Sequence, residues 1–559
     1  MVWALHPIQT QAVTYIVQRM GSLCGMFYII GIYCFIRFLL SNRIPRMLGW
    51  GFLFFIWSLL CVGSKQNGVL IYPSALLIDY CFGGRITACI SREKKYLWVG
   101  AAMFAISLAL LYFSFDLENV LSSGYLKRSY TCYQRLLTET RVIFIYLGQI
   151  FYPVATRFSL VHDVQPSLSL LSPWTTWLCV GSVFVIIVFT AVFVRKKPLY
   201  LFPIAFYFLN HLVESTIIPL ELVYEHRNYI PTLFLFIPLG MLFLNYCEIL
   251  KKTNRRPILA AFFGAIIILS LSIATYTRNM DWKNDKTLWE SALAFAPNMN
   301  RPYVNLALAY AEKSDLDIRK QLLLSSRNKY DDSRGKSDYL TSMNLGSYYL
   351  RIKDYDKAYY EFKKSVVSGY YNDLALHNIA SVYAKQKKWD KVLETLLRLT
   401  DSSLRKKKCL MIAYAMLTDY DNAMKMAYEY MNIDKTNPVV LSTIATIYAV
   451  DKDYKKSNRY INFCRKLHPS LEIDIIQIDL AIEREDHAAL KKEIKHLFGT
   501  YSLDQIKKYF YDSDYEYTYV LLNRPAIQNM ILSAENCNVN YVDQLISRDN
   551  SFLFKDDKI

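Results

Sequence analysis

Three short groups of residues carry the chemistry that this sequence could perform. The first is His6-Pro7-Ile8-Gln9-Thr10-Gln11, followed by Arg19. The second is Ser64-Lys65-Gln66-Asn67. The third is Glu214 and Glu221 with Glu225-His226-Arg227-Asn228-Tyr229. Each borders a long apolar stretch, and ionisable side chains are costly there, which makes them candidates for function. Lys65 and Arg227 are cations suited to an anionic phosphate, and arginine can grip one through two parallel hydrogen bonds. A neutral His6 or His226 could accept a proton or donate to a phosphate oxygen. The plainer alternative is that Lys65 and Arg227 merely reach the lipid headgroups, as flanking cations do.

The elements that must position these groups fall on either side of a break in composition near Thr277. Before it, apolar stretches alternate with short polar loops; after it, the chain is charged and repeats roughly every 34 residues. The 559 residues are 53% hydrophobic and 20% charged, and the mean hydropathy of +0.13 averages two unlike halves. A formal charge of +17 is of the size a nucleic-acid binder carries. Here much of it lies in clusters beside apolar spans, where it sets topology, and nucleic acid is not an expected partner. Cysteines 24, 34, 61, 179 and 247 sit singly in apolar stretches and no CxxC pair occurs, which argues against zinc or a disulfide framework.

Eight stretches are candidate membrane spans: Ser22–Leu40, Leu48–Val62, Val69–Cys81, Leu97–Phe115, Trp174–Val194, Leu199–Leu220, Tyr229–Tyr246 and Ile258–Thr277. The second and third are short. Spans must satisfy their own backbone hydrogen bonds, so all should be helices. The basic clusters Arg43–Arg46, Arg85–Lys95, Arg195–Lys197 and Lys251–Arg256 all fall on one side if the spans alternate, and the positive-inside rule makes that side cytoplasmic. The three polar groups and the whole repeat half then lie on the opposite, periplasm-like face of what reads as a bacterial inner membrane. The stretch Tyr130–Pro153 has helical periodicity and reads as an interfacial helix, or as a ninth crossing.

In the second half, Tyr349, Tyr383, Tyr414 and Tyr448 recur at intervals of 34, 31 and 34 residues, each preceded by an apolar pair. Nine residues after each stand Ala358, Val392, Ala423 and Ser457. This resembles the tetratricopeptide repeat, in which small residues let two antiparallel helices approach. Leu306-Ala307 with Tyr310 reads as an imperfect earlier copy, and Pro469 matches the closing proline. A generic helical solenoid would differ little, since either leaves a groove for a protein or peptide. The expected fold is all-α: a membrane domain at 1–277, a repeat solenoid at 278–500, and a cap and tail at 501–559. Within the last, Tyr509–Tyr519 reads as a cap and Lys555–Ile559 as a frayed tail.

Taken together, the motifs resemble a known family. His6-Pro7-Ile8-Gln9-Thr10-Gln11-Ala12-Val13 with Arg19, Ser64-Lys65-Gln66, and Glu225-His226-Arg227-Asn228-Tyr229-Ile230-Pro231 are similar to blocks of O-mannosyltransferase-like proteins with transmembrane and tetratricopeptide regions. With Trp289 and the repeats, the likeness extends over nearly the whole chain. The resemblance implies a GT-C glycosyltransferase fold with transfer of a sugar from a polyprenyl-phosphate donor to a protein acceptor. An acceptor hydroxyl would attack with inversion, aided by a carboxylate base, and cations or a divalent metal would stabilise the leaving phosphate. Lys65 and Arg227 would contact that phosphate beside His6, Arg19, Glu225 and His226. The family's acidic catalytic loop has no counterpart after Met1, and Gln11 and Gln66 stand where carboxylates are common. The expectation is therefore an incomplete or non-catalytic relative with no assignable catalytic residue. The alternative is a membrane-anchored repeat scaffold.

Overall fold

The computed structural model describes residues 1–83, 124–126, 128–252, 258–310, 315–331, 336–367, 372–511, 520–525 and 527–528. The span expected at Leu97–Phe115, the Arg85–Lys95 cluster, most of Lys251–Arg256, residues 512–519 of the cap and the Lys555–Ile559 tail lie outside them. Every regular element among the described residues is a helix. The chain forms two compact units, Met1–Ser337 and Asp338–Ile559.

Among the described residues of the first unit, four helices are long and apolar enough to cross a membrane: α2 (Arg19–Leu40), α3 (Ile44–Ser64), α6 (Thr175–Phe193) and α9 (Ile258–Asp281). They follow a five-residue α1 (Thr10–Thr14). α2 and α3 pair as an antiparallel hairpin, so the second candidate span is a full helix of 21 residues and not a short one. α6 presents Phe184, Val185, Val188 and Phe189 to its surroundings, and α9 presents Phe262, Ile266 and Ile273. Such continuous apolar surface is what a lipid-facing helix requires.

Three other candidates are shorter helices. α4 (Ile71–Phe82) has 12 residues, α7 (Pro198–His211) has 14 and α8 (Ile237–Lys252) has 16. The reason lies in the backbone around them. Past His211 the chain leaves the helix in turns, and 229–236 is wound largely by i→i+3 bonds such as Leu233 N–H to Ile230 C=O (3.1 Å) and Leu235 N–H to Thr232 C=O (3.1 Å). Most of this irregular backbone is buried in protein, a setting in which non-helical chain is tolerated even at membrane depth.

α5 (Cys132–Phe151) is the helix expected at Tyr130–Pro153. Thr131 caps it through a reciprocal pair with Gln134. Its buried face carries not only Val142, Tyr146 and Ile150 but also Arg135, Glu139 and Gln149. α10 (Asp285–Phe295), α11 (Asn300–Ala309) and α12 (Leu316–Ser325) complete the first unit, so the compact boundary falls well beyond the composition break near Thr277.

The second unit is a stack of helix hairpins: α13 (Lys336–Arg351) with α14 (Tyr355–Val367), α15 (Asn372–Lys385) with α16 (Trp389–Leu397), α17 (Leu404–Met416) with α18 (Tyr420–Met431), α19 (Pro438–Val450) with α20 (Tyr454–Leu467), and α21 (Leu471–Glu483) with α22 (His487–Thr500). α23 (Leu503–Tyr511) follows. First helices of neighbouring pairs also touch, α17 with α19 and α19 with α21, which is the contact that turns hairpins into a solenoid.

Each hairpin turns in the same way. Lys353, Lys387, Thr418, Lys452 and Glu485 adopt left-handed φ values of 63°, 59°, 60°, 62° and 55°. The next N–H reaches back to Tyr349, Tyr383, Tyr414, Tyr448 and Ala481, at 2.9 Å in the first four and 3.1 Å in the last. This is the Schellman closure of a helix. The repeating tyrosines thus supply the carbonyl that ends four of these first helices, and Lys357, Lys391 and Lys456 lie over the rings of Tyr349, Tyr383 and Tyr448. Ala358, Val392, Ala423 and Ser457 are all buried where the helices cross. The fifth hairpin escaped the sequence pattern because alanine stands at the tyrosine position. Asp486, matching Asp354, Asp419 and Asp453, was the available signal.

Candidate functional site

The polar residues of the first unit converge around two unwound stretches, 212–222 and 224–228. Breaking a helix frees carbonyls that buried chain must satisfy from side chains. Arg135, fully buried on α5, donates to Thr216 C=O (2.9 Å), Glu214 C=O (2.8 Å) and Leu220 C=O. Arg227 donates to Leu222 C=O (2.9 Å) and Glu221 C=O. Tyr146 pins the start of the second stretch, its hydroxyl accepting from Tyr224 N–H (2.9 Å) and donating to Tyr224 C=O (3.0 Å).

On this frame sits a compact charge cluster. Glu139 lies 2.6 Å from Arg135 and 3.6 Å from Arg227. Lys65 pairs with Glu214 at 2.7 Å. Three cations therefore meet two carboxylates, and Glu139 is the one closest to losing its charge: burial pushes its carboxyl up against the opposing pull of Arg135 and Arg227. The excess is positive, as an anion site requires.

The histidines play distinct parts. His6 Nδ1 accepts Ile8 N–H (3.2 Å) and Nε2 donates to Ile150 C=O (2.9 Å), so both ring nitrogens are used in holding the N-terminal turn. Burial lowers its pKa to about 4. His226 faces Gln11, whose Oε1 takes the His226 backbone N–H (2.9 Å) and lies 3.2 Å from Nδ1. Burial first, then Lys65 and Arg227, lower the His226 pKa to about 3, leaving a neutral imidazole. Glu225 turns away from this cluster, accepting Ser159 N–H (2.6 Å) and approaching His162 (3.2 Å) and Arg278 (3.9 Å).

Of the residues singled out in the sequence, Lys65, His226 and Arg227 share one cluster through Glu214, Glu139 and Gln11. His6 and Glu225 are buried beside it as struts. Arg19 is exposed at the start of α2. Sequence reasoning missed Arg135 and Glu139, reading them as the polar side of an interfacial helix; two opposite charges at i, i+4 facing the core look the same in sequence as a pair facing water. It also passed over Arg278, 1% exposed at the end of α9 and 2.9 Å from Asp281.

A cavity of about 550 Å³ opens beside the cluster between α4, α5, α6 and α7. Leu77, Ile143, Ile187, Val194, Phe208 and Leu209 make its walls apolar, while Glu139, His211 and Ser215 mark one polar side. Among the described residues no three His, Cys, Asp or Glu side chains gather as a metal site.

No protein-family model matches the chain, and no curated protein matches it. Solved structures give helical-repeat likenesses at low scores. A structure from work on Pseudomonas aeruginosa pilF is 15% identical, with a TM-score of 0.30 over 38% of this chain and 96% of that one. YrrB, described as a TPR protein with an unusual peptide-binding site, is 15% identical, with a TM-score of 0.27 over 33% and 94%. Yeast Tom70 is 12% identical, with a TM-score of 0.30 over 90% and 89%.

Proposed function

We propose that this chain is a membrane protein whose helical-repeat unit binds a protein or peptide partner. The observation that carries this is the stack of five hairpins closed by the same left-handed turn, an architecture whose use is an extended binding surface. A photo-reactive amino acid at Ser381, on the first helix of its hairpin, should yield a discrete protein adduct, whereas one at the exposed Tyr360 on a second helix should not. Adducts at both positions, or at neither, would overturn the reading. With the basic loops cytoplasmic, the repeat unit stands on the periplasmic side.

A second reading draws on the buried cluster: transfer of a sugar from a polyprenyl-phosphate donor to a protein acceptor. The positive excess at Lys65, Arg135 and Arg227 suits a lipid phosphate, and the apolar cavity suits its chain. Proteoliposomes supplied with labelled lipid-linked sugar should transfer label to a protein acceptor, and Arg227→Ala should remove it. No transfer by the wild-type protein would sink this reading while leaving the scaffold standing.

A further inference from the structure

The inner face of the repeat unit is already occupied at one end. α19 and α21 are buried nearly all round: Val439 to Ile447 are each buried, and so are Ile473 to Ile482. α15 and α17, two and one hairpins earlier, keep many half-exposed residues. The cover includes a segment from beyond α23. Val520 packs against Ala415, Ala423 and Ile447, from α17, α18 and α19. Leu521 packs on the cluster of Leu441, Ala445 and Ile476, and Ile527 on that of Ile478, Ile482 and Leu490.

The polar contacts show how the segment is read. Asp479, fully buried on α21, takes Leu522 N–H on one carboxylate oxygen (2.9 Å) and Asn523 N–H on the other (2.7 Å). The Asn523 amide nitrogen reaches Asp479 C=O (3.4 Å) and Glu483 Oε2 (3.2 Å). A helical turn then begins, with Ile527 N–H bonded to Asn523 C=O (3.1 Å). Burying a carboxylate is costly, and this one is met by two peptide N–H groups. Its neighbours on α21 differ: Asp474 pairs with Arg465 at 2.9 Å, and Gln477 bonds Asn462 at 3.2 Å. Asp479 is thus a two-pronged receptor for consecutive backbone N–H groups, which any pair of residues other than proline can offer, flanked by apolar and amide-reading positions that select a side-chain pattern.

We propose that the groove formed by α17, α19 and α21 is the peptide-binding site of this protein, and that Val520–Pro525 together with Ile527 is a tethered ligand filling it. The partner segment that competes for it has the same chemistry: an aliphatic pair, one further residue, then asparagine at the start of a helical turn. This deepens the protein-binding reading and rests on it. A tethered ligand has a high effective concentration, so an external peptide gains the groove only when the tether is weakened or the competitor binds better.

The test uses the full chain in detergent and a fluorescein-labelled synthetic peptide of Val520–Gln528. Val520→Asp with Asn523→Ala loosens the tethered copy and leaves the groove untouched. That double variant should bind the peptide at least about ten-fold more tightly than the wild type, and adding Asp479→Asn should remove the gain with helical circular dichroism unchanged. No gain, or a gain indifferent to Asp479→Asn, overturns the inference. If the double variant loses helix, the wild-type chain decides: excess peptide must speed hydrogen exchange at the Leu522 and Asn523 amides, and unchanged exchange overturns it. A discrete Ser381 adduct that persists without peptide binding would show that the tether idea failed while protein binding stood.

Discussion

Arg135 and Arg227 illustrate how one residue type serves two ends. Both satisfy carbonyls that the unwound stretch after α7 leaves open, and with Lys65 they also make the field around Glu139 and Glu214 positive. Removing one partner of such a buried set leaves an uncompensated charge, at a cost of about 3–5 kcal/mol. Arg135→Met should therefore unfold the first unit at a markedly lower temperature, measured by tryptophan fluorescence in detergent. An unchanged midpoint would contradict the role given to this side chain. The histidines make a pH prediction. His6 and His226 have folded pKa values lowered to about 4 and about 3, below the usual value near 6.5. Between those limits the unfolded chain binds more protons, so stability is full above about pH 6.5 and falls as the pH drops toward the folded values. Unfolding at pH 5 should come at lower denaturant than at pH 7, and His226→Gln should flatten that slope. A slope unaltered by the substitution would refute the assignment.

At the scale of elements, the repeat unit depends on five left-handed turns and on small residues between paired helices. Thr418 holds φ of 60° with a β-branched side chain, a strained choice where glycine is free. Thr418→Gly should stabilise the unit by about 1 kcal/mol or leave it unchanged, and a loss would argue against the turn geometry. Gly346 marks the opposite constraint, because an added Cβ would come within 2.5 Å of the Phe362 ring. Gly346→Leu should cost about 1–3 kcal/mol by overpacking, read as a lowered thermal midpoint. The tyrosine interval exposed four of these hairpins in sequence because a carbonyl and a left-handed residue recur at fixed spacing, with an aspartate cap in three of the four and Lys388 at that place in the other. The fifth lost its tyrosine and kept its turn. α4, α7 and α8 teach the reverse: hydropathy marks where chain is apolar, while helix length depends on where the backbone breaks.

At the scale of the whole molecule, four helices of membrane-crossing length among the described residues precede a repeat unit rich in charge. With the basic loops cytoplasmic, trypsin added to intact spheroplasts should digest the repeat unit; its protection until lysis would reverse the proposed topology. The sequence alone determined the all-helical class, the division into an apolar and a repeating half, and the presence of polar groups beside apolar stretches. These are local properties, carried by composition and by periods of a few residues to a few tens. Tertiary structure alone decided that Glu139 meets Arg227, that His6 is a strut, and that Asp479 holds the Leu522 and Asn523 amides. Those pairings join positions tens to hundreds of residues apart, and a charge facing the core reads the same in sequence as one facing water until the fold says which side it lies on.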